Sequence, residues 1–277
     1  MTQTNRPRFF THFALIVICT ILCLPALYAL QMATLSLDEA FLSPPQLFPP
    51  GDDFGGNLGF VFQNLHFGTL LANTTLVSLM IVIGKTTLAL LAGLAFVYFR
   101  FPGKTVLFFA VLLTLFMPTE IILLPLFRMM SELEWGSDNP RLALTFPFIA
   151  TAAGVFLFRQ HFTNIPRELA EAAQIDGASP ARFLFSILIP MSWNVIGAHA
   201  LIQFIGSWNS YLWPRLIVQD PTAQVIQVGV RNAIAAGIQT DFGLLMTAGI
   251  IASIPPLILF VLLQKQFMNG FELTRDK

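Results

Sequence analysis

Residues able to do chemistry are sparse in this 277-residue chain, and they do not converge. His12, His66, His161 and His199 are scattered. Cys19 and Cys23 lie one helical turn apart in an apolar run, without the further thiols or neighbouring histidines that a zinc site or disulfide framework needs. Gly84-Lys85-Thr86-Thr87 imitates the end of a phosphate-binding loop, but that loop requires a glycine five residues earlier, where Leu79 stands. What remains is a set of polar residues embedded in apolar sequence. His199, Gln203, Ser207 and Ser210 recur at intervals of four, four and three, which places them on one stripe of a helix. Such a stripe either bonds to neighbouring helices or lines a wet path. Trp208, Asn209, Tyr211 and Trp213 cluster at its end. Aromatic faces and amides suit the C–H surfaces and hydroxyls of a polyol, and they suit an interfacial belt equally well.

The elements that hold these residues follow from composition. Hydrophobic residues make up 55% of the chain and charged ones 11%, against roughly 25% charged in a soluble domain. Fifteen cations balance fifteen anions, so nothing draws the chain toward nucleic acid. Crossing a bilayer takes about 20 apolar residues. Six stretches meet or approach that length: 13–35, 71–99, 105–127, 142–158, 195–212 and 244–263. The expected fold is an all-α membrane protein with six transmembrane helices in one domain spanning 1–277. The first stretch, at 23 residues, is longer than the apolar part of a secretory signal and reads as a retained helix. Lys85 and Glu120 are the two formal charges in the spans. A cation at mid-bilayer costs at least ~2.5 kcal/mol, so both should face the bundle, either locking helices together or lining a route.

The positive-inside rule sets the orientation. With the N-terminus inside, ten cations fall on the cytoplasmic side (Arg6, Arg8, Arg100, Lys104, Arg159, Arg167, Arg182, Lys265, Arg275, Lys277) and four outside (Arg128, Arg141, Arg215, Arg231). Both termini are expected in the cytoplasm. The outer connection 36–70 is acidic and rich in proline and glycine, and its end has apolar residues near helical spacing. Asn73-Thr74-Thr75 matches a glycosylation sequon but opens a span.

Between the fourth and fifth spans, local signals at 164–190 predict a cytoplasmic helix–turn–helix. Asn164 can cap a first helix with Pro166 in its first turn, Gly177 suits a left-handed stop, and Ser179 caps a second helix with Pro180 at its first position. Pro190 restricts the chain beyond. Ile165, Leu169, Ala172 and Ala173 are expected on one face of the first helix, and Arg167, Glu168, Glu171 and Gln174 on another. Such a hairpin floats at the interface or docks on a partner.

Glu171-Ala172-Ala173, then Gly177, Ile187 and Ile189-Pro190, resembles the "EAA" loop of permease subunits of bacterial ABC importers, with Ile189 where that family usually has leucine. The loop's place after the fourth span and the segment from Trp208 to Pro214 extend the likeness over nearly the whole chain, nearest to carbohydrate-uptake permeases of the maltose type. The resemblance implies a multi-pass permease of the bacterial inner membrane, translocating solute but not an enzyme. It implies a second homologous permease, an ATP-binding subunit dimer that carries the ATP and magnesium, and an extracytoplasmic solute-binding protein. Its coupling loop would comprise Glu171, Ala172, Ala173, Asp176, Gly177 and Pro190. The receptor would meet segments 36–70 and 219–242. Gly84-Lys85, Phe99-Arg100-Phe101-Pro102, Phe158-Arg159-Gln160 and Ile175-Asp176-Gly177 look most like the glycerol-3-phosphate branch, with a neutral sugar as the alternative substrate.

Overall fold

The computed structural model describes residues 8–40, 50–235 and 241–272, and it is helical throughout these, with no strand among them. Arg6, Arg275, Lys277 and parts of the outer segments 36–70 and 219–242 lie outside the described residues. The chain divides into two compact units, residues 1–68 with 229–253 and residues 69–228 with 254–277.

In the first unit α1 (Arg8–Met32) presents its apolar side chains outward, as a helix solvated by lipid or a partner would. Its C-terminal carbonyls are satisfied by side chains. Asn57 Nδ2 donates to Ala33 O and Leu35 O, both at 3.0 Å, and Thr247 Oγ1 donates to Ala33 O at 3.4 Å. A Ser-x-x-Glu capping box then starts α2 (Leu37–Ala40). Ser36 N and Oγ each donate to Glu39 Oε2 at 2.9 Å, which holds the Glu39 carboxyl below the usual carboxylate range. A third helix, α3 (Phe54–Gln63), covers much of the segment whose spacing is helical.

The second unit is organised along α4 (Phe67–Tyr98), 32 residues without proline and about 48 Å long at 1.5 Å per residue. Its hydroxyls turn back on its own backbone: Thr74 Oγ1 to Leu70 O at 2.6 Å and Thr75 Oγ1 to Leu71 O at 2.7 Å. Next come α5 (Lys104–Leu113) and α6 (Thr119–Glu132), the first extended by a 3₁₀ turn at Thr114–Phe116. The expected single helix over 105–127 is therefore two, bent by 99°. Pro118 has no N–H to continue the ladder and sits extended at ψ 132°. After α7 (Trp135–Asp138), α8 (Pro140–Thr145) and a 3₁₀ turn at Phe146–Phe148, α9 (Ala152–Thr163) starts at a Thr151 cap and bends by 46° from what precedes it.

The chain continues through α10 (Arg167–Ile175), α11 (Pro180–Phe183), a π turn at Leu184–Leu188 and α12 (Ile189–Met191). It then bends by 81° into α13 (Trp193–Trp208). Pro190 accounts for the π turn, because its ring excludes the carbonyl four residues back and the backbone widens to bypass it. The helix ends at Trp208, four residues short of the expected limit at 212, so Asn209, Ser210 and Tyr211 fall in a turn before α14 (Leu212–Ile217). The remaining helices are α15 (Ile226–Ala235) and α16 (Phe242–Glu272). Among the described residues three helices are long and apolar enough to cross a membrane, and up to six spans result if each bent pair counts as one.

Two apolar clusters pack against different lengths of α4. One joins Ala89, Leu90 and Leu94 to Phe158, Phe162, Phe183 and Leu188. The other joins Val77 and Ile81 to Met130, Leu144, Trp213 and Ile217. Close approach needs small residues: a Cβ on Gly93 would lie 2.9 Å from Phe158 Cβ, and one on Gly154 would lie 2.9 Å from Ala89 Cβ.

Candidate functional site

Between the two clusters α4 carries Lys85, and α13 carries the polar stripe facing it. Lys85 Nζ donates to Gln203 Oε1 at 2.8 Å, and Thr86 Oγ1 lies 3.2 Å from His199 Nδ1. His199 is buried, edge-on to the Phe158 ring at 5.4 Å. A cavity of about 290 Å³ opens alongside, lined by Ser78, Lys85, Thr119, Ser207, Ser210 and Trp213 among others. The structure thus divides the stripe: Gln203 meets Lys85 and His199 meets Thr86, while Ser207 and Ser210 line the cavity with Lys85. Ser210 reaches it from the turn after α13, where its N–H bonds to Ser207 O at 3.1 Å.

Other expected members stand apart. Glu120 is exposed on this chain, because the break at Pro118 turns the first residues of α6 away from the α5 direction. The partner of Lys85 is the Gln203 amide. Trp208 is 1% exposed and stacked on Phe204 at 5.5 Å, so its ring face serves packing. Trp213 Nε1 donates to Ala143 O at 3.0 Å. Asn209 Oδ1 accepts from Gln227 Nε2 at 3.2 Å, and Tyr211 packs beside the Trp213 cluster. Beyond α14, Asp220 accepts from Thr222 Oγ1 at 2.7 Å and Thr222 N at 2.8 Å, bonds that keep its carboxyl below the usual range.

A second constellation surrounds α10. Asn164 does not cap this helix: it ends α9, where its N–H bonds to His161 O, and α10 begins after Pro166. Gly177 has φ 69°, and the end of α10 is a Schellman motif, with Ala178 N bonding to Ala173 O at 2.8 Å and Gly177 N to Gln174 O at 3.1 Å. Ser179 Oγ accepts from Arg182 N at 3.3 Å to start α11. The inward face of α10 is Ala170 and Ala173, with Ile165 before it, rather than the expected Leu169 and Ala172. Leu169, Ala172 and Ile175 (86% exposed) look outward with Glu171 and Asp176. Glu171 also edges a groove of about 670 Å³ lined by Arg100, Lys104 and Arg167.

The family described as "Binding-protein-dependent transport system inner membrane component" matches residues 85–271, a range that holds α10 and its surroundings and the cavity's lining from Lys85 onward. The chain belongs to this family. As an inner-membrane permease component it serves transport and is not an enzyme. The permease is 37% identical over 268 residues to the sn-glycerol-3-phosphate transport system permease protein UgpE of Pectobacterium atrosepticum, covering 94% of each chain. It is 34% identical over 275 residues to the protein of the same name from Escherichia coli O1:K1, covering 96% of this chain and 97% of that one. Its fold is that of a bacterial ABC transporter involved in the import of the acidic polysaccharide alginate (TM-score 0.81, 23% identity, 96% of this chain and 99% of that chain). A bacterial alginate ABC transporter in complex with an alginate pentasaccharide-bound periplasmic protein is also similar (TM-score 0.63, 19% identity, 92% and 93%).

Sequence reasoning named Lys85 but missed what else α4 contributes to the permease. Thr74, Ser78 and Lys85 line the cavity and lie at i, i+4 and i+11, a spacing that keeps them on one face. That stripe is visible in the sequence once Lys85 is read together with its helix.

Proposed function

We propose that this chain is one of two homologous permease subunits of a binding-protein-dependent ABC importer that carries sn-glycerol-3-phosphate into the cell. The observation that carries the reading is the likeness to permeases of that name at 34–37% identity over 94% or more of both chains. Both termini lie in the cytoplasm, following the ten-to-four cation asymmetry. The other parts are a second permease, a dimer of ATP-binding subunits holding ATP and magnesium, and an extracytoplasmic receptor. No cofactor resides in this chain.

In this reading α10 and the turn after it form the coupling element. Leu169, Ala172 and Ile175, exposed beside Glu171 and Asp176, offer a small apolar patch with a carboxylate edge, which suits a cleft in the ATP-binding subunit. A rigid helix closed by a Schellman turn can transmit a push to α13 through the π turn and the 81° bend. The loaded receptor docks outside, ATP-driven closure opens the helices outward, and hydrolysis resets them inward.

The test is uptake of labelled sn-glycerol-3-phosphate by cells with and without this chain, with excess unlabelled maltose in a parallel sample. Loss of uptake on deletion, unaffected by maltose, is expected. Uptake unchanged by deletion in cells lacking other carriers of the label would overturn the substrate.

A further inference from the structure

The cavity beside Lys85 has a definite chemical character. Lys85 is the cation among its lining residues, and no carboxylate lines it among the described residues. One of the three ammonium hydrogens goes to Gln203 Oε1, which fixes the head and leaves two for a ligand. Ser78 Oγ and Ser207 Oγ also line it, and both are buried without a hydrogen-bond partner. Ser78 is 0% exposed. Its neighbour Thr74 is satisfied: its Oγ1 accepts from Ile226 N at 2.7 Å and donates to Leu70 O at 2.6 Å. Buried polar atoms are nearly always paired, so two unpaired hydroxyls, Ser78 on α4 and Ser207 on the facing α13, beside an ammonium with free hydrogens, mark where an acceptor with several oxygens belongs.

Size narrows the acceptor further. The volume of about 290 Å³ sits at the low end of the roughly 300–1,000 Å³ typical of small-molecule sites. A three-carbon phosphate ester fits within it. The Trp213 and Phe148 rings supply an apolar wall for the carbon end.

We propose that this cavity is a phosphate-binding subsite of the translocation route, in which Lys85, Ser78 and Ser207 hold the phosphate of the transported ester within this subunit. The inference rests on the importer reading above and deepens it. It assigns discrimination between ester and neutral polyol to the permease as well as to the receptor.

The test uses the whole complex with its partner permease, ATP-binding subunits and receptor, with the exposed Cys19 and Cys23 replaced by alanine. Uptake of labelled sn-glycerol-3-phosphate is measured first, and its absence removes the importer reading itself. In the transporting complex, Ser210→Cys, which lines the same cavity and is not one of the proposed phosphate ligands, is labelled with a neutral maleimide without receptor. sn-Glycerol-3-phosphate is expected to slow the labelling roughly tenfold, the worth of one charge-assisted hydrogen bond, while equal glycerol leaves it unchanged. Lys85→Gln should remove the protection and Lys85→Arg should keep part of it. Ser78→Ala alone should lower uptake several-fold. Equal protection by ester and glycerol, or none, in a complex that still transports would overturn the inference and leave Lys85 as a helix-to-helix tie.

Discussion

At the scale of single residues, the structure turns an intramembrane cation from an anomaly into one half of a pair. Lys85 and Gln203 are 118 positions apart and join α4 to α13 at 2.8 Å. A double-mutant cycle with Lys85→Met and Gln203→Leu, read as thermal stability of the purified complex, should give a coupling of about 1 kcal/mol, since membrane hydrogen bonds average roughly 0.6 and a charged donor strengthens them. Strict additivity would mean that the pair does not hold the helices. Trp213 makes a second residue-level prediction. Trp213→Phe keeps a ring beside Phe148 but leaves the buried Ala143 carbonyl unpaired, at a cost of about 1–2 kcal/mol in the same assay. Period counting exposed the stripe on α13, because a polar residue every turn is rare in an apolar helix. It could not supply Gln203 as the partner of Lys85, because a long-range pair leaves no local trace. Glu120, the other charge in the apolar stretches, is exposed on this chain beyond the break at Pro118.

At the scale of elements, hydropathy located apolar stretches but was blind to their breaks, because a sum over residues is the same for a straight helix and one bent by 99° at Pro118. The turn chemistry after α10 was legible, because Gly, Ser and Pro act through local backbone geometry and need no tertiary information. Which face of α10 turns inward was not, since Ala170, Ala172 and Ala173 are equally small and only the packing of Phe162 and Phe183 selects between them. Gly177 meets nothing within 4 Å of an added Cβ, so a substitution there is penalised by its φ of 69° alone. Gly177→Val should therefore cost about 1–2 kcal/mol locally and weaken copurification of the ATP-binding subunit, whereas Gly177→Asn, which tolerates the left-handed region, should retain it. Equal loss in both would argue for a contact at the turn rather than a conformational demand. Glu171→Lys should leave insertion intact and uncouple ATP hydrolysis from uptake. Normal uptake would sink the docking role of α10.

At the scale of the whole molecule, the question is which way the chain sits in the bilayer, and the answer depends on charge rather than on packing. Cations resist translocation, so a ten-to-four asymmetry predicts the orientation of every span at once, and six crossings would return the C-terminus to the starting side. The evenness is the weaker premise, because three of the six spans are bent pairs and a sharp bend is also how a segment re-enters the side it left. Reporter fusions separate these cases. Alkaline phosphatase fused after Asp138 or Asp220 should be active outside, while phosphatase fused after Asn164 or at the C-terminus should stay in the cytoplasm and be inactive, and green fluorescent protein fused there should fluoresce. If the 99° pair were re-entrant, the fusion after Asp138 would report cytoplasm and every later assignment would invert. The loop at Glu171 would then face away from the only compartment that holds ATP. The coupling role of α10 therefore requires Lys104–Phe116 and Thr119–Glu132 to cross together, and the Asp138 fusion is the measurement on which the chain's orientation and its mechanism both depend.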